Sequence, residues 1–235
     1  EPIDIVTTPD GSLVAMVHCN NCTSDLNAWV GLFREYTELL GLPVDMNEIY
    51  GKLYNNALNG DSDSGGLLAY NYFSGEPVTG LAEGRPLFVR SVNDRFNLAN
   101  FMRAHLYGSV AVLKIGNDIL FNEEKISVDR ITGHGGLFKT KGVGQRILAA
   151  ALNSPISVMD TAGEGGAWGM ALLASYLVNN PDRLSLSDYL DREVFAGDVG
   201  TEIKPTEAEV AGFNAYIENY KRGLGIEKAA VEFKK

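Results

Sequence analysis

Two glycine-rich segments carry the residue types most suited to chemistry in this chain. They read Gly133-His134-Gly135-Gly136-Leu137-Phe138 and Gly163-Glu164-Gly165-Gly166-Ala167-Trp168. Because glycine has no Cβ, the backbone of such a segment can approach a flat or anionic ligand closely. A tight connection between a strand and a helix also requires glycine, and that explanation suffices for either segment alone. Two segments in series favour ligand contact.

Neither segment fits a standard nucleotide-binding motif. A P-loop requires the pattern GxxxxGK[ST], and the chain contains no such window. A dinucleotide-binding turn requires GxGxxG, in which the third glycine allows a helix to pack closely. Phe138 and Trp168 occupy that third position in the two segments. The pattern therefore predicts glycine turns without identifying their ligand.

The two cysteines of the chain, Cys19 and Cys22, form a C-x-x-C pair just before a predicted helix. A helix N-terminus can lower a thiol pKa, which would favour redox chemistry. A structural zinc site typically has four ligands, whereas His18 and the two cysteines supply three. A thiol or metal protein built on this pair remains an alternative. His105 lies on the same helical stripe as Leu98, which predicts a hydrogen-bonded core histidine.

Composition excludes several classes of protein. The chain has 235 residues, a formal net charge of −10 and 45% hydrophobic residues. A nucleic-acid partner would require a basic surface, so none is expected, and no apolar run is long enough to span a membrane. The amino terminus has no signal-peptide pattern, and two cysteines cannot form a disulfide framework, which predicts a cytoplasmic protein.

Hydrophobic periodicity predicts the elements that position these residues. The first half should contain a hairpin, two helices, two short strands and one long helix, at residues 4–17, 26–40, 46–58, 67–73, 86–92 and 94–121. Ser24 or Asp25 is expected to cap the first helix, and Asp94 the long one.

A strand, a glycine turn and a helix then occur twice in succession. The predicted ranges are 125–132, 133–136 and 141–152, followed by 155–159, 161–166 and 167–178. This order is typical of an α/β sheet that binds its ligand at the carboxyl ends of the strands. A final helix should begin at a capping box formed by Thr206 and Glu209.

Four segments resemble motifs of the FGGY-type carbohydrate kinases. Residues 131–140, followed by Gln145, resemble the family's adenosine motif, and residues 161–171 resemble its second hinge motif. Residues 98–108 resemble its long helix, with Tyr107 in place of the usual Glu, and residues 70–76 resemble its Y-x-x-G-E loop. The similarity extends from residue 1 to about residue 178. Within the family, the sequences of these motifs most resemble those of the pentulose kinases, xylulokinase and L-ribulokinase.

The resemblance implies an actin-like ATPase (ribonuclease H-like) fold of the α/β class. It would contain a mixed sheet flanked by helices, helical insertions and a helical C-terminal tail. Residues 1–235 would form the C-terminal domain of a two-domain sugar kinase whose N-terminal domain is absent, with residues 182–235 as a helical extension packed on it. The implied cofactors are ATP and Mg²⁺, the substrate is a sugar, most closely xylulose or ribulose, and a homodimer is compatible with the family.

Carried over residue by residue, the resemblance assigns two sets of positions. The nucleotide-binding residues would be Gly133, His134, Gly135, Gly136, Leu137, Phe138, Lys139 and Gln145. The hinge residues would be Gly163, Gly166 and Gly169. No catalytic base and no metal ligand is expected within these residues, so the chain alone should be inactive. A non-catalytic nucleotide-binding module, as in the actin and chaperone branches of the superfamily, is the other alternative.

Overall fold

The computed structural model describes residues 3–160, 163, 165–197 and 200–233. Three of the six residues of the predicted second glycine turn, Thr161, Ala162 and Glu164, lie outside the described residues. The chain begins with the predicted hairpin, in which β1 (Ile3–Thr7) pairs antiparallel with β2 (Leu13–Val17).

Two helices follow the hairpin, α1 (Ser24–Leu39) and α2 (Met46–Ala57). The predicted cap of α1 is wrong. Thr23 holds the N-cap position without a side-chain hydrogen bond, and Ser24 and Asp25 lie inside the helix. Asp25 instead accepts a hydrogen bond from Trp29 Nε1 at 3.3 Å, which directs its carboxylate away from the helix end. Asp45 caps α2 by accepting from the backbone amides of its first turn.

The middle of the chain contains β3 (Leu68–Tyr70), β4 (Leu87–Val89) and the long helix α3 (Leu98–Asp118). A π-helical turn, Ile119–Glu123, extends α3 past its predicted end. The predicted cap, Asp94, is wrong because its carboxylate accepts from Ser91. Asn97 caps the helix by accepting from the Asn100 amide at 2.9 Å.

The strand-turn-helix repeat is present with shorter strands than predicted. It comprises β5 (Ile131–Thr132), α4 (Val143–Leu152), β6 (Ile156–Val158) and α5 (Gly165–Val178). The expected strand at 125–132 is reduced to two residues, and its first position, Lys125, has a φ of +57° that no strand allows. β5 and β6 are parallel, and β7 (Thr201–Ile203) joins β6 antiparallel, which makes this sheet mixed.

A short helix, α6 (Leu186–Tyr189), precedes the long terminal helix α7 (Glu207–Phe233). The predicted capping box is confirmed. Thr206 Oγ1 accepts from the Glu209 amide at 3.2 Å, and Glu209 Oε2 accepts from the Thr206 amide at 2.8 Å.

Helix α3 forms the centre of the core, with 14 of its 21 residues buried. Gly108 permits its contact with β3, since a Cβ there would lie 2.6 Å from the Ala69 carbonyl oxygen. The buried Arg103 donates to the carbonyl oxygens of Ala57 and Leu58 at the end of α2. A cation at that position satisfies carbonyl groups that a helix C-terminus leaves free.

His105 is buried in this core, as predicted, but only one of its two ring nitrogens has a polar partner among the described residues. Its Nδ1 lies 3.5 Å from Asp25 Oδ2, and its ring packs against Phe101 with centroids 4.5 Å apart. Its Nε2 has no hydrogen-bond partner among the described residues.

Helix α7 belongs to the same core because buried tyrosines join it to β3. Tyr70 Oη donates to the Tyr220 carbonyl oxygen at 2.9 Å, and Tyr220 Oη donates to Tyr72 Oη at 3.1 Å. Tyr216 is fully buried and donates to the carbonyl oxygen of Ala104 on α3 at 3.2 Å. The C-terminal helix therefore contributes side chains to the interior.

Two glycines of α7 test this packing as a matched pair. A Cβ on Gly223 would lie 2.0 Å from Tyr70 Oη, whereas a Cβ on Gly225 would meet nothing within 4 Å. We expect Gly223→Ala to lower the free energy of unfolding by about 1–3 kcal/mol through overpacking. Gly225→Ala should raise it by about 0.5–1 kcal/mol through helix propensity. Chemical denaturation measures both, and equal effects of the two variants would contradict the packing of α7.

Glu227 predicts a pH dependence of stability. Its carboxylate is buried and accepts from the Arg85 amide at 2.5 Å, and burial raises the pKa of this group above its usual value. A raised pKa in the folded state favours the protonated form, so ionisation of Glu227 costs stability as the pH rises. We expect the stability of Glu227→Gln relative to the native protein to increase as the pH rises from the ordinary titration range of a glutamate through the raised pKa of Glu227, as urea denaturation would measure.

The exposed Glu232 on the same helix provides the control. The difference between Glu232→Gln and the native protein should stay constant over this pH range. A constant difference for Glu227→Gln as well would show that ionisation of Glu227 carries no cost.

Candidate nucleotide site at the glycine turn

The first glycine segment forms a turn between β5 and α4, which we call the glycine turn (residues 133–140). The Gly133 amide donates to the Ser157 carbonyl oxygen on β6 at 2.8 Å, which fixes the start of the turn on the sheet. Gly135 has a φ of +104°, a conformation that favours glycine. A short 3₁₀ turn over Gly136–Phe138 then leads into α4. The sheet and α4 therefore hold the glycine turn from both ends.

Of the two apolar side chains of the glycine turn, Phe138 packs on the turn itself and Leu137 lies against α4. A Cβ on Gly133 would lie 2.4 Å from the Phe138 ring, so the ring folds back over this glycine. A Cβ on Gly144 would lie 2.7 Å from the Leu137 carbonyl oxygen, so α4 lies directly beneath the turn. Both apolar side chains are half-buried against the hydrophobic core. Packing explains these two residues, and their predicted ligand contacts remain predictions.

Three cavities adjoin the glycine turn. The first, which we call the α1–α2 cavity, has a volume of about 410 Å³. Most of its lining side chains are polar or aromatic, and they come from α1, α2 and the turn: Thr23, Asn27, Asn47, Tyr50, Tyr54, Gly136, Leu137, Lys139 and Thr140. Tyr50 Oη donates to Asn27 Oδ1 at 3.0 Å, which links the two helices across the cavity wall.

The second cavity, which we call the β2–β5 cavity, has a volume of about 580 Å³ and shares Thr23, Gly136 and Leu137 with the first. Its walls are mainly apolar, and they include Cys19 and Cys22 as well as the start of the glycine turn. Gly133, His134, Gly136, Leu137 and Phe138 all border this cavity.

The third cavity, of about 610 Å³, contains Gln145 and Gly163 with Lys139 and Phe138. Gln145 is buried, and its amide nitrogen donates to the carbonyl oxygens of Ile156 and Thr201, at 3.2 and 2.9 Å. That nitrogen stabilises the sheet. Seven of the eight predicted nucleotide-binding residues are therefore distributed over the three cavities, and Gly135 is not among the lining residues of any of them.

Sequence reasoning missed the side of the α1–α2 cavity that the helices supply. Asn47, Tyr50 and Tyr54 occur at helical spacing, so the sequence does place them on one face of α2. Nothing in that spacing says which other segment this face meets. Their meeting with the glycine turn depends on how α2 packs against α3.

The environment of the two cysteines disfavours thiolate chemistry. Burial raises the pKa of Cys19 to about 12, with further contributions from the Glu76 carboxylate and Cys22. The pKa of Cys22 is raised by burial and by Glu76. Within the described residues, no three His, Cys, Asp or Glu side chains are placed to hold a metal ion. The thiol or metal alternative gains no support.

The predicted hinge glycines lie on or next to α5. A Cβ on Gly166 or Gly169 would meet nothing within 4 Å, and one on Gly163 would lie 3.3 Å from Lys139 Cε. Although α5 is rich in apolar residues, none of them is buried, and Leu177 and Val178 are more than 80% exposed. A helix that is apolar on most sides is normally covered by protein.

No helix in the described part of the chain is both long and apolar enough to cross a membrane. The chain matches no curated protein sequence.

Several solved structures share this fold. The xylulose kinase from Rhodospirillum rubrum aligns with a TM-score of 0.66 and 17% identity, covering 96% of this chain and 42% of its own. A ligand-bound xylulose kinase from Lactobacillus acidophilus aligns with a TM-score of 0.65 and 19% identity, covering 95% and 42%. Plasmodium falciparum glycerol kinase with ADP aligns with a TM-score of 0.56 and 18% identity, covering 84% and 37%.

These alignments confirm the predicted actin-like fold class. They also show that the chain spans well under half the length of these related proteins. The protein-family model for the C-terminal domain of the FGGY family of carbohydrate kinases matches residues 1–178, which is most of the chain. Because this match covers more than half of the chain, the chain belongs to the FGGY family of carbohydrate kinases, and residues 1–178 correspond to the C-terminal domain of that family.

Proposed function

We propose that this chain is the nucleotide-binding domain of an ATP-dependent sugar kinase, and that its adenosine site is the α1–α2 cavity. The single observation that carries the proposal is the position of the glycine turn. Gly136 and Lys139 border this cavity opposite polar and aromatic side chains of α1 and α2. The family match supports the reaction class, and ADP is named with one of the related structures.

The residues of the α1–α2 cavity fit a purine nucleoside. Gly136 presents backbone without a Cβ, and a Cβ there would enter open space. Tyr50 and Tyr54 supply aromatic rings 5.6 Å apart, and burial raises the pKa of both groups, so their hydroxyls remain protonated. The Asn27 oxygen accepts from Tyr50, which leaves its amide nitrogen to donate to a ring nitrogen of the base.

The phosphate chain would extend from this cavity toward cationic groups. Lys139 is exposed at the cavity rim, and the N-terminus of α1 begins beside Thr23, which also borders the cavity. Both features favour anionic groups. Mg²⁺ would neutralise charge on the transferred phosphoryl group. Among the described residues no three His, Cys, Asp or Glu side chains are placed to hold a metal ion. In our proposal the other domain supplies the groups that hold Mg²⁺.

Helix α5 fits the predicted hinge. Its exposed apolar surface and its bare glycines, Gly166 and Gly169, would allow another part of a kinase to pack closely on it. Closure of two domains on the substrates would exclude water during phosphoryl transfer. The catalytic base would then lie in the other domain, as expected from the sequence.

We assign the sugar to the pentuloses, xylulose or ribulose. The residues of the four family motifs favour that group, and several related structures are xylulose kinases. A cytoplasmic location and a homodimer complete the proposal. Residues 182–235 would act as a structural extension, since α7 contributes buried tyrosines to the core.

Gly136→Ala tests the adenosine site. The added methyl group would meet open space and not protein, so stability should change little while the cavity narrows. We expect the dissociation constant for ATP to rise about tenfold, equivalent to about 1.4 kcal/mol, in calorimetry on the 235-residue chain. Asn27→Ala, at an exposed position of the same cavity, should weaken binding as well.

Gly166→Ala on α5 is the matched control, because its methyl group also enters open space but lies away from the cavity. It should leave ATP affinity unchanged. The assignment of the α1–α2 cavity is wrong if the native chain binds ATP and both cavity variants bind it equally well.

Substitution of the two cysteines separates the kinase from the thiol alternative. The double variant Cys19→Ser, Cys22→Ser removes every thiol in the chain. Because the raised pKa values keep both groups protonated, we expect ATP affinity and thermal midpoint to remain close to the native values. Loss of ATP binding in a folded double variant would instead support a function for the pair.

A further inference from the structure

Two arginines from distant parts of the chain line one cavity, which we call the arginine cavity. Arg90 directly follows β4, and Arg222 lies on α7. The cavity has a volume of about 310 Å³. It shares no lining residue with the three cavities that adjoin the glycine turn. The arginine cavity is therefore a separate feature of the domain, and the proposed nucleotide site does not use it.

The packing of α7 on β3 brings the two arginines to one place. Leu68 of β3 pairs with Val89 of β4, the residue before Arg90. Gly223 of α7 lies against β3, since a Cβ there would lie 3.6 Å from Leu68 Cδ1. Arg222 directly precedes this glycine in the chain. The contacts that hold α7 on β3 therefore also fix the position of Arg222 at the cavity.

Each guanidinium is oriented by one neighbour and keeps most of its hydrogen-bond donors. Arg90 lies over the Phe96 ring, with its Cζ 4.5 Å from the ring centroid. Arg222 Nη2 donates to Asn219 Oδ1, one turn earlier in α7. Within the described residues, neither arginine forms an ion pair. Because a guanidinium carries five N–H donors in a planar fork, most of these donors are available to a ligand.

The carboxylate of Asp94 also lines the cavity, but it is bonded elsewhere. Its Oδ1 accepts from Ser91 Oγ at 2.8 Å, and its Oδ2 accepts from the Ser91 amide. Two arginines and one aspartate leave the lining with a net positive charge, whereas the whole chain carries a net charge of −10. A local positive field in an acidic protein attracts anions to that place.

We propose that the arginine cavity binds a small phosphomonoester. A phosphomonoester carries a charge of about −2 at neutral pH, which matches two guanidinium groups, and its oxygens fit their forks. The cavity is larger than a phosphate group. Leu68 and Val89 supply apolar lining for an organic part, and Asn219 supplies an amide for its hydroxyl groups.

This site goes beyond the proposed function and does not depend on it. Asn219 and Arg222 lie after residue 178, where the match to the family model ends. Half of the proposed cationic pair therefore comes from a part of the chain that the family match does not include.

Calorimetry on the 235-residue chain tests the proposal at low salt, because salt screens exposed charges. The phosphomonoester probes are glycerol 3-phosphate and ribulose 5-phosphate, and the comparison anions are inorganic phosphate and succinate. We expect both phosphomonoesters to bind more tightly than inorganic phosphate, which lacks the organic part. Succinate, a dicarboxylate of similar charge, should bind at least tenfold more weakly than either phosphomonoester.

Arg90→Gln and Arg222→Gln each remove one guanidinium and should weaken ribulose 5-phosphate binding at least tenfold. Both side chains are exposed, so both variants should fold, as circular dichroism checks. Arg183→Gln is the matched control, since Arg183 is exposed and does not line the cavity, and it should leave binding unchanged. Arg90→Lys keeps the charge without the fork, so its affinity should lie between those of the native chain and Arg90→Gln.

Three results would overturn the proposal: no binding of either phosphomonoester, binding that survives both glutamine variants, or succinate binding of equal affinity. Inorganic phosphate that binds as tightly as the phosphomonoesters would likewise contradict a site for an organic phosphate. ATP affinity should be the same in Arg90→Gln as in the native chain, and its loss would place the nucleotide phosphates at this cavity and contradict a separate site. Failure of the native chain to bind ATP would count against the proposed function and not against this inference.

Discussion

The burial of α3 is the constraint on which the rest of the structure depends. A helix with 14 of 21 residues buried must be approached by neighbours from nearly every side, and each approach sets a local requirement. β3 comes close only because position 108 has no side chain, and β2 lies against Gly116, where a Cβ would meet Val17. Arg103 carries its charge into this interior because the end of α2 supplies carbonyl oxygens to it. Helices α1 and α2 are thereby held beside the glycine turn.

The terminal helix α7 is packed more completely than helix α5 and the amino-terminal hairpin. Helix α7 is joined to the core by stacked tyrosines, with Tyr70 and Tyr220 centroids 4.6 Å apart. Helix α5 and the hairpin are rich in apolar residues yet remain largely exposed. Since burial of apolar surface is the main favourable term in folding, such exposure is costly unless other protein covers it. In the proposed kinase, the rest of the protein would cover these surfaces.

The candidate site shows which of its features were predictable. Gly135 was predictable because a positive φ has few alternatives to glycine, and the strand and helix flanking the turn follow from periodicity. Gln145 was expected at a ligand but donates to Ile156 and Thr201, because a buried amide nitrogen requires a partner and the neighbouring strands supplied one. The caps of α1 and α3 were misplaced for a related reason. Several polar residues precede each helix, and only the folded backbone selects one.

The sequence by itself determined the family, the fold class, the order of strands and helices as far as α5, the glycine turn and the capping box at Thr206, but not α6 or β7. These features depend on local residue types and on spacing along the chain, which the sequence displays directly. Only the tertiary structure decided that Asn27 and Tyr50 share a cavity with the glycine turn, that α7 lies in the core, and that residues of β2 and β5 line one cavity. Contacts between residues far apart in sequence depend on how buried surfaces fit together around α3, and no local pattern encodes that fit.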